Sequence, residues 1–183
     1  MQLKDAIYGR RSIRAFLDKP VEREKIEEVM KAGSYAPSAM NNQARQFIAI
    51  TDFDALKSIN EAVYAVSDAE TRKRITARTN DGSFNFFYGA PVLIAVCCDA
   101  SEMRPTEDCA TALQNMFLSA YDQGLGSCWI NQLTNICLDE PIKSTLTALG
   151  MKDGYRVYGC CALGYPATEG KLSRPKTNEM IIK

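Results

Sequence analysis

The sequence predicts an α+β fold, a sandwich in which a sheet is covered by helices, on three observations. Helical segments fall in pairs between strands instead of singly at each crossover, and one strand is apolar along its whole length. No G-x-G-x-x-G follows a strand and no G-x-x-x-x-G-K-S/T occurs, which argues against the doubly wound nucleotide-binding alternative. The 183 residues suit one domain over 1–183, long enough to bury roughly 70% of its unfolded surface. No repeat, low-complexity tract or long Gly, Ser or Pro linker marks a second one.

Each element has its own signal. Over Glu22 to Ser34, Ile26, Val29, Met30 and Gly33 share one helical stripe, and Pro37 ends the segment. Gln46 to Thr51 reads as a short strand. Asp52 is placed to cap a helix to about Ala65, and the polar stretch Ser67 to Asp81 reads as a second exposed helix or a mobile excursion. Pro91 introduces a strand over Val92 to Cys98 whose lack of alternation predicts cover on both faces.

Thr106, with Glu107 and Asp108 suited to a first-turn dipole, opens a long helix; Ala110, Leu113, Phe117, Ala120 and Tyr121 recur at its spacing and Gly124 stops it. Ser127 to Ile130 is a short strand. Asp139, with Pro141 just inside, starts a helix to about Leu149, ended by Gly150. Tyr155 to Leu163 is the last strand, with Val157, Gly159, Cys161 and Leu163 expected on one face, and a basic tail follows.

Composition narrows the chemistry. Lys and Arg balance Asp and Glu, 22 against 22, so no net charge draws nucleic acid or acidic lipid, and an anion must be held by a local cluster. The N-terminus lacks the apolar run of a secretory signal, and the longest apolar stretch, Ala90 to Cys98, is far short of the roughly 20 residues of a membrane helix; the expectation is a cytoplasmic protein. Histidine is absent, which removes imidazole-based nucleophile systems and imidazole zinc sites. The seven cysteines contain no C-x-x-C, and the adjacent pairs 97–98 and 160–161 point to opposite faces of their strands, so they read as reduced packing thiols.

Four short features remain. Arg10-Arg11-Ser12-Ile13-Arg14 sets three guanidinium groups and a hydroxyl within five residues, donors suited to phosphate, although a basic cluster alone also fits a solvated turn. Ala36-Pro37-Ser38-Ala39-Met40-Asn41-Asn42-Gln43 offers small and amide-bearing residues after a helix. Gly124 to Asn131 encloses the Trp129-Ile130 pair, and Leu163 to Ala167 is followed by Lys171, Arg174 and Lys176.

In this order and at these separations, the four features resemble the FMN-dependent nitroreductase family from the first ten residues to the tail. The resemblance implies a central, mostly antiparallel sheet and an intertwined homodimer with two FMN molecules at its interface. It makes Arg10, Arg11, Ser12 and Arg14 the first flavin-binding segment, spanning phosphate and pyrimidine. It makes Pro37, Ser38, Ala39 and Asn41 a segment laid on the flavin by the second subunit. Ile130 and Asn131 match the turn whose backbone donor faces flavin N5, and Arg174 with Lys176 match a tail that closes on the phosphate. Asn131 stands where many members have glycine, and Asn80 and Asn85 both compete for the mid-chain contact to flavin O4 or N3.

The implied activity is ping-pong transfer of hydride from NADH or NADPH through the flavin to a small aromatic acceptor such as a nitroaromatic or quinone. The flavin carries the hard chemistry, so no side chain is assigned as acid or base, and no metal is implied. Tyr64, Phe84, Phe86, Phe87 and Tyr88 are candidates to line the acceptor slot, or else anchor the excursion before them. Two other readings compete: a non-catalytic protein that stores, senses or delivers FMN, and a thiol-based redox or metal protein.

Overall fold

In the computed structural model, which describes residues 2–79 and 81–170, four antiparallel strands form one sheet in the order β1-β2-β4-β3. These are β1 (Arg45–Ile50), β2 (Val92–Asp99), β3 (Gly126–Ile130) and β4 (Tyr155–Gly164). Six helices accompany them: α1 (Leu3–Gly9), α2 (Arg23–Ser34), α3 (Phe53–Val66), α4 (Ala69–Thr76), α5 (Pro105–Asp122) and α6 (Ile142–Ala148). The paired-helix expectation holds only between β1 and β2, where α3 and α4 both lie; β2 and β3 are joined by α5 alone and β3 and β4 by α6 alone, so it is the antiparallel pairing that sets the fold apart from a doubly wound one.

The sheet has a core on each face. One is built with Leu56, Ile59 and Val63 of α3 and Ile142 and Leu146 of α6; the other with Ile26 and Val29 of α2 and Leu113, Met116 and Phe117 of α5. Central β2 is buried from Val92 to Cys98, as its missing alternation requires. Cys97 and Cys160 enter the first core and Cys98 and Cys161 the second, so the adjacent pairs do split across the sheet. All seven thiols are free and buried, and no cluster of metal-binding side chains occurs among the described residues. No helix among the described residues is long and apolar enough to cross a membrane.

Asp52 caps α3 by accepting from the Ala55 amide at 2.9 Å. The polar excursion contains α4, capped by Asp68 through the Thr71 amide. Other expectations are corrected. Pro141 lies just before α6 as its N-cap residue, and the long helix begins one residue earlier than read, with Pro105 at its first turn. In β4 a bulge opposite Val96 and Cys97 leaves Tyr158 without a partner. It turns Val157 into the α3 and α6 core, while Cys161 and Leu163 face α2 and α5. The four residues therefore do not share a face. For Phe86 and Phe87 the anchor alternative fits: they meet edge-on at 5.1 Å inside the first core and hold the end of the excursion there.

Candidate active site

After α1 the chain runs out along the free edge of β3. Ser12 makes a parallel bridge with Ser127, and the Ile13 amide donates to the Ser127 carbonyl at 3.0 Å. Further on, Phe16 pairs with Pro166, held by Leu17 N–H to Tyr165 O at 2.9 Å and Ala167 N–H to Ala15 O at 2.9 Å. Ile13 and Ala15 are buried, and Ile13 lies where any Cβ on Gly126 would come within 2.9 Å of it. Such tight contact fixes the segment against the strand.

Arg10, Ser12 and Arg14 are brought together on β3. The Arg10 guanidinium lies over the Phe117 ring at 5.7 Å and that of Arg14 over Tyr88 at 5.8 Å. Among the described residues neither guanidinium has a hydrogen-bond or ion-pair partner. Burial pushes the Cys128 thiol up, while Arg14, the Ser12 hydroxyl, Arg10 and Arg78 act in the opposite direction. The three guanidinium charges and the Ser12 hydroxyl thus all bear on Cys128 of the edge strand. Arg78 carried no sequence signal, because it belongs to the excursion whose path only the fold reveals.

Arg11 differs from its neighbours. Its guanidinium turns back on the end of α1, donating to the carbonyls of Tyr8 at 2.8 Å and Arg10 at 2.7 Å. A cavity of about 880 Å³ opens beside it, lined by Arg10, Arg11, Gly124, Ser127, Asp122 and Glu169 among others, a size suited to a cofactor-sized ligand. A smaller one of about 260 Å³ joins Arg14 to Thr79, Asp81, Asn85 and Tyr88. Asn85 accepts from the Phe87 amide at 3.2 Å and so spends its oxygen on the local turn. Asn80, Arg174 and Lys176 lie outside the described residues.

Pro37, Ser38, Ala39 and Asn41 form a second constellation. Met40, Asn41 and Gln43 all have positive φ (52°, 56° and 51°), a concentration of strain that persists only where surroundings impose it. Most of the constraint comes from Arg45, which carried no sequence signal, and from Asp108, read from sequence only as a first-turn carboxylate. Arg45, the first residue of β1, donates to the carbonyls of Ala36 at 2.7 Å, Pro37 at 3.0 Å and Asp108 at 3.1 Å. The buried Asp108 carboxylate accepts from the Ala39 amide at 3.0 Å, and Ser38 Oγ accepts from Gln43 N–H at 3.1 Å.

Within one chain the two constellations stay apart. The loop is fixed to Asp108 near the start of α5, whereas Gly9 packs on Tyr121 near its end, roughly 20 Å along the axis at 1.5 Å per residue. Between the residues of the third feature, Ile130 is buried at 1% exposure and Asn131 is exposed.

The comparisons with known proteins follow this geometry. The sequence pattern of the Nitroreductase family matches residues 7–165. An Archaeoglobus fulgidus protein, named as a candidate NADH dehydrogenase/NAD(P)H nitroreductase, is 31% identical over 89% of this chain and 84% of its own. A nitrobenzene nitroreductase from Ectopseudomonas oleovorans is 29% identical over 97% and 94%. The crystal structure of a Bacteroides fragilis nitroreductase with bound FMN superposes with a TM-score of 0.85 at 34% identity, covering 100% of both chains. With the sheet, the cationic edge and these matches in agreement, the chain belongs to the nitroreductase family.

Proposed function

We propose that the protein is an FMN-dependent NAD(P)H oxidoreductase that acts as a homodimer and reduces small aromatic acceptors such as nitroaromatics or quinones. The observation that carries this reading is the pair of guanidiniums on the free edge of β3, Arg10 and Arg14, with no carboxylate or other hydrogen-bond partner among the described residues. The donor set fits FMN: a phosphate takes charge-assisted bonds from guanidinium and hydroxyl groups, and a ring that gains negative charge on reduction is favoured by a cation beside it. The FMN of the Bacteroides fragilis structure and the name of the nitrobenzene nitroreductase support the cofactor and the acceptor class.

When bound, FMN supplies the hydride-accepting and hydride-donating ring. Arg10 and Ser12 hold its anionic end, Arg14 faces the ring, and the turn at Ile130 and Asn131 meets the ring's polar edge. Arg174 and Lys176, outside the described residues, are assigned to the phosphate by the family resemblance alone. The loop from Pro37 to Asn41 covers the ring from the second chain, which the roughly 20 Å separation within one chain favours. Nicotinamide and acceptor take turns in the same stacking space.

Purified protein should be yellow and should oxidise NADH or NADPH with menadione or nitrobenzene as acceptor. Retained flavin that neither nicotinamide reduces would replace this reading with a flavin-binding protein that does not turn over. Arg10→Ala and Arg14→Ala should each weaken FMN binding about tenfold or more, the worth of one charge-assisted hydrogen bond. Unchanged titrations in both variants would remove the assignment.

A further inference from the structure

We propose that Asn131 offers its side-chain NH2 as the hydrogen-bond donor to the polar edge of the bound ring, with Trp129 as the positioning residue that turns it outward. The inference rests on the FMN reading above and concerns which group of this chain meets the ring. Three polar groups of Asn131 are already engaged. Its carbonyl accepts from the Thr134 amide at 3.0 Å and the Thr134 hydroxyl at 2.6 Å. Its main-chain N–H donates to Gln132 Oε1 at 3.2 Å, and its Oδ1 accepts from Trp129 Nε1.

An indole nitrogen can only donate, so the amide oxygen must face the tryptophan and the NH2 must face away. That NH2 has no partner among the described residues. The indole itself is set in place by its surroundings. It packs against Phe117 with ring centroids 6.0 Å apart, and it occupies the space over Gly159, where a Cβ would come within 3.2 Å of Nε1. Trp129 thereby fixes the amide orientation from a position on β3 beside the Arg10 cation.

The main-chain N–H, the donor that the family resemblance assigns to this turn, donates here to the side chain of the neighbouring Gln132 at 3.2 Å, which must swing away before that N–H can serve a ligand. A ring covering the turn would strand an exposed NH2 without water, a cost that disappears only if the ring presents an acceptor to it. Flavin has acceptors along that edge, and an asparagine in place of glycine supplies the donor that the engaged backbone withholds.

The test is FMN titration, followed by flavin fluorescence quenching, on wild type, Asn131→Asp, Trp129→Phe and Gln132→Ala, with thermal unfolding as a check of folding. Asn131→Asp keeps the acceptor for the indole N–H and replaces the NH2 with an anionic oxygen. Its FMN dissociation constant should rise at least tenfold and stay raised in about 0.5 M salt, which screens the added charge, whereas with a purely structural asparagine the rise would come from that charge alone and salt would abolish it. Trp129→Phe, which frees the amide to rotate, should raise it about threefold, and Gln132→Ala should leave it within about twofold. Wild-type affinity in Asn131→Asp at either salt level, or tighter binding in Gln132→Ala without weakening in Asn131→Asp, would overturn the assignment and give the donor role to the backbone. A wild type that binds no FMN would overturn the functional reading as well, so the two failures are distinguishable.

Discussion

Arg11 and the cysteines show what a residue's neighbours decide. The basic cluster was legible as an anion site, but which of its members turn away depends on how the segment meets β3 through the Ser12 bridge to Ser127. A local reading of sequence contains no such long-range pairing. The cysteines were legible because adjacent residues in a strand must face opposite ways. Burial raises the thiols of Cys98, Cys128, Cys160 and Cys161 and pushes Cys97 up to about 12. A thiol raised in the folded state contributes stability fully below the unfolded value near 8.5, and that stability is lost as pH climbs towards the folded value. The urea midpoint should therefore fall steadily from about pH 8.5 to 11, and less steeply in Cys97→Ala; a midpoint that stays level over that window would contradict the burial account.

For elements, periodicity found what is long and missed what is short. The stripes of α2 and α5 were clear, and α3 was found from Asp52 at its start. The seven-residue α1 carried too few turns to show a period, and its boundary is set by packing on α5 and by Arg11 at its end. The strand β4 was found, but its bulge was invisible because alternation is inferred by assuming that none exists. Just past that bulge, Gly159 leaves room for Leu113 and Trp129, with an added Cβ only 2.6 Å from Leu113 Cδ1. Gly159→Ala should cost about 1–3 kcal/mol through overpacking, read from chemical denaturation, and should also disturb the tryptophan fluorescence. A variant as stable as wild type with an unshifted emission maximum would show that Leu113 moves aside freely.

For the whole molecule, the proposed shared site draws its two constellations from two chains. Neither the roughly 20 Å between them nor the Arg45 and Asp108 grip on the loop could be read from the sequence, since both depend on how α5 lies across the sheet. The proposed shared site makes a specific claim about mixed dimers. A chain carrying Arg10→Ala and Arg14→Ala, combined with one carrying Asp108→Ala, leaves one site in which the arginines and the loop are both intact. Each variant alone should be nearly colourless, and mixed dimers should regain up to half of the wild-type flavin content. No recovery in verified mixed dimers would place the complete site within one chain.

The helix α5 also acts as a measuring rod. Its first turn sets the strained loop and its last turn seats Gly9, from which the basic segment starts. One residue inserted midway would turn the far end by about 100° and push it 1.5 Å outward, so that the cationic arm and the covering loop no longer aim at a common target.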